Sequence, residues 1–318
     1  MARNPWRTFG CGLAWLAASG LSEAALASSA SSPGPATANL PDDIVVTGSR
    51  PRYSAAVADV SSLAASRDGQ LPRFENEVCP LVLGLAPQFA GPIARRIRDV
   101  AQSVGLRAGG SGCTPNLTVI VADHGDDVIA ALRKKLPNLF AAMTAPEMSR
   151  LSRSPGPVWN WYALDPKRRD GGPVEAIGMI AFGPSDSPRP VSSGAYIASN
   201  VNLSRLSMPV RLDLTLSFVV LDSGSIYGLT ARQIGDAAAM LGLSMIDIRR
   251  IDSLRHNSVL QLLRDRASNA DRIRGLTDFD RAFLAGLYSG EPGQSSDRQL
   301  ALIASRVLRT MGSGGAEE

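Results

Sequence analysis

Histidine is scarce in this chain, and its scarcity limits the metal and acid–base chemistry that the protein can perform. Only His124 and His256 occur among the 318 residues. Catalytic zinc sites take three protein ligands, with histidine usually among them, and these two histidines do not form such a motif. The chain also lacks the Gly-x-Ser-x-Gly sequence that presents a nucleophilic serine in α/β-hydrolases. Both absences disfavour common classes of hydrolase.

Aromatic residues and excess charge are also limited. Aromatic residues make up 5% of the chain, and the formal net charge is +4. Proteins that bind nucleic acids use basic grooves together with aromatic side chains that stack on bases, so we expect no nucleic-acid partner. No apolar run after the N-terminal segment is long enough to span a bilayer, and we therefore expect no membrane span in the mature chain.

The N-terminal residues have the order of a secretory signal peptide. Arg3 and Arg7 form a basic region, residues 9–21 form a short apolar region, and Ala-Leu-Ala at residues 25–27 matches a cleavage site. This pattern predicts a signal peptide over residues 1–27 and a periplasmic or secreted protein. The alternative is a segment that stays uncleaved as an anchor.

Two cysteines remain if the signal peptide is removed with Cys11. Cys79 and Cys113 then form an even pair in an oxidising compartment, which favours a structural disulfide. Catalytic or metal-binding thiols are the alternative, but no histidine cluster accompanies them. The sequence predicts a disulfide between these two residues.

Residues 28–69 are predicted to be a flexible linker, because their first part is rich in Ser, Pro and Ala. Within them, Ile44–Arg50 reads Ile-Val-Val-Thr-Gly-Ser-Arg and resembles a segment near the mature N-terminus of TonB-dependent outer-membrane receptors. The chain shows no succession of strands for such a receptor's barrel. The segment is either a peptide offered to an envelope partner by strand addition or the first edge strand of the domain.

A strand followed by a helix is predicted in the second half of the chain. Leu212–Leu221 is apolar and β-branched, and a turn at residues 222–224 ends it. Thr230 is a good N-terminal cap, Gly242 is a good stop, and apolar residues recur between them at helical spacing. This spacing predicts an amphipathic helix with one buried face. Asp236 is then either an acid in a cleft or a residue on the solvent side.

A second helix is predicted from Leu-Thr-Asp-Phe-Asp at residues 276–280. Thr277 can cap this helix, and Asp280 occupies the third helical position of a capping box. Leu-x-x-Leu-Tyr follows at residues 284–288, and Ser258-Val259-Leu260 lies upstream.

The order of these motifs resembles that of zincins, the zinc endopeptidases whose helix carries His-Glu-x-x-His. When the late glycine of that motif is placed on Gly242, the first ligand falls on Gly235, the base on Asp236, the second ligand on Ala239 and a third ligand on Met245. None of these is a usual zinc ligand apart from the aspartate. The chain thus resembles an uncharacterised family of secreted bacterial proteins of degenerate zincin type, which lack the zinc motif.

The resemblance covers roughly residues 79–289 and implies an α+β fold. We expect a zincin-like domain over residues 70–312, with a mixed sheet, a degenerate active-site helix and a helical C-terminal part. Residues 313–318 are predicted to be a disordered tail. Strand, helix and strand over residues 79–123 agree with this class, although many α/β folds share that order.

Three residues are weak candidates for catalysis: Asp236, Asp222 and His124. Paired carboxylates can perform acid–base chemistry if a cleft holds them close, and His124 follows a predicted strand. The structural alternatives are a turn made by Asp222 and a loop and helix cap around His124.

Trp159, Trp161 and Tyr162 lie on a predicted strand and form a candidate binding surface. An exposed aromatic face would serve recognition, whereas strands of this kind more often bury their rings.

Removal of the zinc ligands favours a non-catalytic binding or scaffolding module of the cell envelope, with an envelope protein or peptide as its partner. The alternatives are a hydrolase using Asp236, Asp222 or His124, and an accessory protein of TonB-dependent uptake. We expect no metal, because the positions aligned with the zinc ligands are Gly235, Ala239 and Met245. We also expect no cofactor, since the glycine run at residues 109–112 lacks the lysine of a phosphate-binding loop. The sequence makes no prediction of the oligomeric state.

Overall fold

The computed structural model describes residues 50–141, 143–154, 156–176, 196–197, 210–269 and 271–313. The chain divides into two units, Met1–Thr47 and Gly48–Glu318, and every described residue belongs to the second. The predicted signal peptide, the tail from residue 314 onward, and all of Ile44–Arg50 except its last residue lie outside the described residues.

The described elements alternate between strands and helices in the first part and are helical in the last part. The strands are β1 Pro80–Leu83, β2 Leu117–Ala122, β3 Val158–Arg168, β4 Glu175–Ala176, β5 Tyr196–Ile197 and β6 Val210–Asp222. The helices are α1 Arg50–Leu63, α2 Pro87–Ser103, α3 Gly125–Lys135, α4 Ala145–Ser152, α5 Ser223–Ile226, α6 Ala231–Leu243, α7 Arg266–Asn269, α8 Asp278–Ser289 and α9 Ser296–Ser313. Three short 3-10 helices cover Pro137–Phe140, Ile248–Ser253 and Val259–Leu263.

The main sheet has the strand order β1-β2-β6-β3. Strand β1 pairs with β2 and β2 with β6 in parallel, whereas β3 pairs with β6 in the antiparallel direction. Val119 and Val219 on the two central strands are fully buried, as expected for strands covered on both faces. The predicted α+β class with a mixed sheet is confirmed.

The sheet separates two hydrophobic layers. One face packs on α2 and α6, where Ile93, Ile97 and Val100 form the buried stripe of α2. On the other face, α3 and α4 cover a smaller cluster, in which the ring of Trp161 stacks between Phe140 and Phe218 with centroids 5.0 and 4.9 Å away.

Helix α6 is enclosed on all sides from Gln233 to its last residue, Leu243, whereas Arg232 in its first turn is exposed. Its N-terminal cap is Thr230, as predicted, and every residue from Gln233 to Leu243 is buried. A Cβ atom on Gly235 would lie 2.7 Å from Cβ of Arg96 on α2, and one on Gly242 would lie 2.7 Å from the side chain of Leu117 on β2. Glycine therefore lets α2 and β2 approach this helix closely. The predicted solvent-exposed face of α6 does not exist.

The predicted linker over residues 28–69 is too long. Residues from Arg50 to Leu63 form α1, and Val60 and Leu63 are fully buried in the main core. Asp59 is also buried and forms an ion pair of 2.9 Å with Arg255, next to the ring of His256 at 3.3 Å. Because α1 contributes to the core, the folded domain begins at or before residue 50 rather than at residue 70.

Helix α8 begins with the predicted capping box, whose acid has a second role. Asp280 is fully buried and accepts hydrogen bonds from Oγ1 and N of Thr277, from Oγ of Ser258 and from N of Val259, at distances of 2.6–2.9 Å. Burial raises the pKa of Asp280, and the donated hydrogen bonds partly oppose that rise. This carboxyl group therefore joins the start of α8 to the 3-10 helix at Val259.

The predicted disulfide between Cys79 and Cys113 is present, with a separation of 34 residues along the chain. It joins the start of β1 to the loop that precedes β2. A disulfide of this kind is compatible with an exported protein. Among the described helices, none combines the length and apolar character that crossing a membrane requires.

We predict that Asp280→Ala lowers the free energy of unfolding by about 3 kcal/mol or more, because it leaves several buried donors without an acceptor. Urea-induced unfolding measures this change. Asp278→Ala is the matched control on the same turn. Because the side chain of Asp278 is 66% exposed, this variant should change the free energy of unfolding by no more than about 1 kcal/mol. Equal losses in the two variants would contradict the role assigned to Asp280.

We predict that Cys79→Ser with Cys113→Ser lowers the free energy of unfolding by about 3–4 kcal/mol, the loop-closure entropy of a 34-residue separation. Denaturant unfolding with and without a reductant measures it. The reductant should destabilise the wild-type protein by a similar amount and leave the double variant unchanged; a further effect on the variant would contradict this assignment.

Candidate functional site

A cleft of about 160 Å³ runs along the first half of β3. Its walls are the strand residues from Val158 to Tyr162, the segment Met245–Arg249 that follows α6, and the side chains of Glu147, Arg150 and Leu151 on α4. The cleft thus lies between the edge of the sheet and the C-terminal end of α6.

Along the first half of β3, the edge that faces away from β6 has no strand partner among the described residues, whereas Lys167 in the second half forms an isolated antiparallel bridge with Pro173. The N–H of Asp222 donates to the carbonyl of Pro157 at 2.9 Å. Since inward and outward backbone groups alternate along an antiparallel strand, the N–H and C=O groups of Val158, Asn160 and Tyr162 point outward. Within the described part of the chain, no hydrogen bond to these backbone groups is found.

Two side chains of β3 fix the opposite wall of the cleft. The hydroxyl of Tyr162 lies 2.8 Å from the carbonyl of Leu241 and 2.9 Å from that of Ser244, and it accepts from N of Ile246 at 3.3 Å. Asn160 donates from Nδ2 to the carbonyl of Ile246 at 2.9 Å. Burial raises the pKa of Tyr162, so the phenol stays protonated. These contacts hold the segment after α6 at a set distance from the strand.

The three aromatic residues of the predicted binding surface are buried and do not form an exposed aromatic face. Trp159, Trp161 and Tyr162 all line the cleft, but their exposed fractions are only 5, 2 and 9%. The indole rings pack in the smaller hydrophobic layer, and the Tyr162 hydroxyl is hydrogen-bonded to the carbonyl of Leu241 on α6. The aromatic rings are therefore structural, and the strand offers its backbone rather than an aromatic face.

Charged side chains form the rim of the cleft. Arg67 pairs with Glu147 at 2.9 Å, and Arg249 binds both carboxylate oxygens of Asp247 at 2.8 and 2.7 Å. Arg150 is exposed and donates from Nε to the carbonyl of Pro146 on its own helix. Both carboxylates of the rim therefore already have an arginine partner, and the cleft has a surplus of positive charge.

Asp236 is a structural residue in this fold. Its carboxylate is fully buried, pairs with Nε of Arg96 at 2.5 Å, and accepts from N of Leu276 at 2.9 Å. Arg232 lies at 3.9 Å with a side chain that is 65% exposed. The expectation that Asp236 faces solvent or a cleft is wrong, because α2 and the segment before α8 cover it.

The other two catalytic candidates lie at the ends of strands, away from Asp236's partners. Asp222 caps α5 by accepting from N of Gly224 at 3.0 Å, which is the turn that its sequence suggested. His124 is the exposed N-terminal cap residue of α3 and makes no capping hydrogen bond with its side chain. No hydrogen bond or ion pair joins Asp222, His124 and Asp236 in the described residues.

The positions that the zincin alignment assigned to a metal site lie mostly inside the core. Gly235 and Ala239 are buried on α6, and Gly235 faces α2. Only Met245 borders the cleft. In the part of the chain that the structure describes, no three residues among His, Cys, Asp and Glu lie close enough together to hold a metal ion.

Asn160 and the segment Met245–Arg249 are parts of the site that were not predicted from the sequence. One local feature pointed to Asn160: asparagine is uncommon inside strands, and here it stands between two tryptophans. The segment after α6 carried no such feature, because its place beside β3 depends on the long-range contact with Tyr162.

Comparisons with protein-family models, with curated proteins and with solved structures find no match to this chain.

We predict that Asp236→Ala lowers the free energy of unfolding by about 3–5 kcal/mol, because it leaves the guanidinium of Arg96 and a buried N–H without their partner. Arg232→Ala is the control, with an expected change within about 1 kcal/mol, since that ion pair is long and exposed. Thermal and urea unfolding measure both. A folded, fully stable Asp236→Ala protein would contradict the structural role and would return Asp236 to the list of catalytic candidates.

Proposed function

We propose that this protein binds an extended peptide by adding it as a strand to the first half of β3, along the edge that has no strand partner among the described residues. The observation that carries the proposal is the row of outward backbone groups at Val158, Asn160 and Tyr162, which lines an open cleft. A peptide strand would exchange main-chain hydrogen bonds with this edge, as in other cases of β-strand addition.

The size of the cleft supports an extended peptide rather than a small molecule. Pockets for small molecules have volumes of about 300–1,000 Å³, whereas this cleft measures about 160 Å³. A strand lying on a sheet edge needs less enclosure, because one side of its backbone stays in solvent and alternate side chains point outward.

The charged rim indicates what kind of peptide fits. Glu147 and Asp247 are each held by an arginine, while the terminal nitrogens of Arg150 have no partner within the described residues. A guanidinium binds a carboxylate through two parallel hydrogen bonds. The preferred peptide therefore carries an acidic residue near Arg150.

We further propose that the protein is exported and that its zincin-like relationship is that of a non-catalytic relative. The disulfide supports export. The burial of Gly235, Asp236 and Ala239 supports a helix that has lost its chemistry and kept its packing. A partner in the cell envelope would then reach the cleft as an unfolded or flexible segment. An accessory role in TonB-dependent uptake was suggested by the segment Ile44–Arg50 alone, and this role stays a prediction.

We predict that peptides selected from a phage-displayed library of random dodecapeptides bind Asn160→Pro about 2–10-fold more weakly than Asn160→Ala, the effect of one net hydrogen bond. Both variants lose the amide side chain, so the difference isolates the outward N–H. The ladder to β6 does not use that N–H, and proline is tolerated on a free strand edge. Fluorescence anisotropy with a labelled selected peptide measures the affinities.

Methylation of the peptide's own amide nitrogens tests the same geometry on the wild-type protein, whatever the stability of the proline variant. Only every second N–H of an added strand faces β3, so methylation should weaken binding at alternate positions. The proposal is overturned if no peptide is selected, if methylation acts without alternation, or if folded Asn160→Pro and Asn160→Ala bind equally.

A further inference from the structure

A second cavity, of about 430 Å³, opens at the other end of α6. It lies between Arg232 in the first turn of α6, the segment Arg272–Leu276, the first turn of α8 and Met311 near the end of α9. It shares no lining residue with the cleft along β3. Any ligand of this cavity is therefore independent of the proposed peptide.

Four arginines line this cavity together with a single carboxylate: Arg232, Arg272, Arg274 and Arg281, with Asp278 as the acid. Asp278 pairs with Arg281 at 2.8 Å. The carboxylate of Asp236 beneath them is already bound by Arg96 and by N of Leu276. The cavity thus concentrates positive charge that neighbouring acids do not neutralise, and such a concentration attracts anions.

Three of the four arginines keep most of their hydrogen-bond donors for a ligand, whereas Arg281 uses both terminal nitrogens, for the carbonyl of Leu276 and for Asp278. A guanidinium has five N–H donors. Arg274 uses Nε for the carbonyl of Asp271, and Arg272 uses one terminal nitrogen for Asn269. Among the described residues, Arg232 forms one ion pair, the 3.9 Å contact with Asp236. In the described part of the chain, the terminal nitrogens of Arg232 and Arg274 have no acceptor.

The first turn of α8 adds backbone donors to the same cavity. In its capping box, the N–H of Thr277 donates to the carboxylate of Asp280, and the N–H of Asp280 donates to the hydroxyl of Thr277. Asp278 and Phe279 line the cavity, and their N–H groups have no intrahelical acceptor because they lie in the first turn of α8. Unpaired N–H groups and the helix dipole together favour an anion there.

We propose that this cavity binds a ligand with more than one phosphate group. Arginine forks match the oxygens of phosphate, and several arginines spread around one cavity need a ligand with several anionic groups to engage them together. The volume of about 430 Å³ lies within the range of about 300–1,000 Å³ for small-molecule sites and exceeds the need of a single phosphate ion. Such groups occur in soluble phosphate compounds and in phosphorylated lipid headgroups.

Isothermal titration calorimetry with inorganic pyrophosphate tests the proposal on the folded protein at low, fixed ionic strength. We expect saturable binding of one pyrophosphate per chain. Arg232→Ala with Arg274→Ala should weaken it about tenfold or more, because each arginine contributes a charge-assisted contact. Arg95→Ala with Arg298→Ala is the control: both residues are exposed and outside the cavity, and the net charge changes equally. This control should bind within about twofold of the wild-type protein.

A parallel arm separates the two sources of phosphate. Phosphatidylcholine vesicles with and without a phosphatidylinositol bisphosphate are sedimented with the protein. Lipid-dependent sedimentation that pyrophosphate displaces assigns the site to a headgroup, and pyrophosphate binding without sedimentation assigns it to a soluble compound. The proposal is overturned if neither probe binds saturably, or if the control variant loses as much affinity as the cavity variant. Arg274→Ala alone gives a second measurement with a smaller change to the protein.

Discussion

Burial of α6 from Gln233 to Leu243 is the constraint on which the rest of this structure depends. A helix at a protein surface exposes one face, whereas a helix that is apolar all round must be covered on every side. Here the sheet covers one side of α6, α2 covers another, and the segments before α8 cover the rest. Gly235 and Gly242 make this possible, because a larger side chain at either position would overlap α2 or β2. The one charged residue in its middle, Asp236, is accommodated through a buried arginine contact and a backbone N–H.

The enclosed helix is bordered by one cavity at each of its two ends. The cleft along β3 lies beside the segment that follows α6, and the arginine cavity begins at Arg232 in its first turn. In a zincin the middle of the corresponding helix faces the cleft and holds the metal. In this chain Gly235, Asp236 and Ala239, which the sequence resemblance aligns with that motif, are buried in the packing of α6. The buried positions in the middle of α6 thus serve packing, with Gly235 against α2 and Gly242 against β2.

The sequence predicted those parts of the fold that depend on local chemistry. The caps at Thr230 and Thr277 and the disulfide were predictable, because a capping box and an even cysteine pair are short-range signals. The exposure of Asp236 was predicted wrongly, because alanine and glycine define no clear apolar face. A better signal was available: Asp236 is the only charged residue between Gln233 and Asp247, which indicates a helix without a solvent side. Helix α1 was missed because its place depends on long-range contacts such as that of Asp59 with Arg255.

The two halves of β3 differ in a way that supports use of its free edge. Unpaired edges promote aggregation, and proteins commonly block them with a bulge, a proline or a lysine. The second half of β3 has all three: a register shift after Ala163, then Pro166 and Lys167. The first half, up to Tyr162, has none of them. It is instead recessed between α4 and the segment after α6, behind a charged rim that includes Glu147. A sheet edge of a second folded copy could pair with β3 only if the surroundings of this edge were open, whereas a single peptide strand can enter the cleft. The unblocked half is therefore the part of the sheet where selective strand addition is physically favoured.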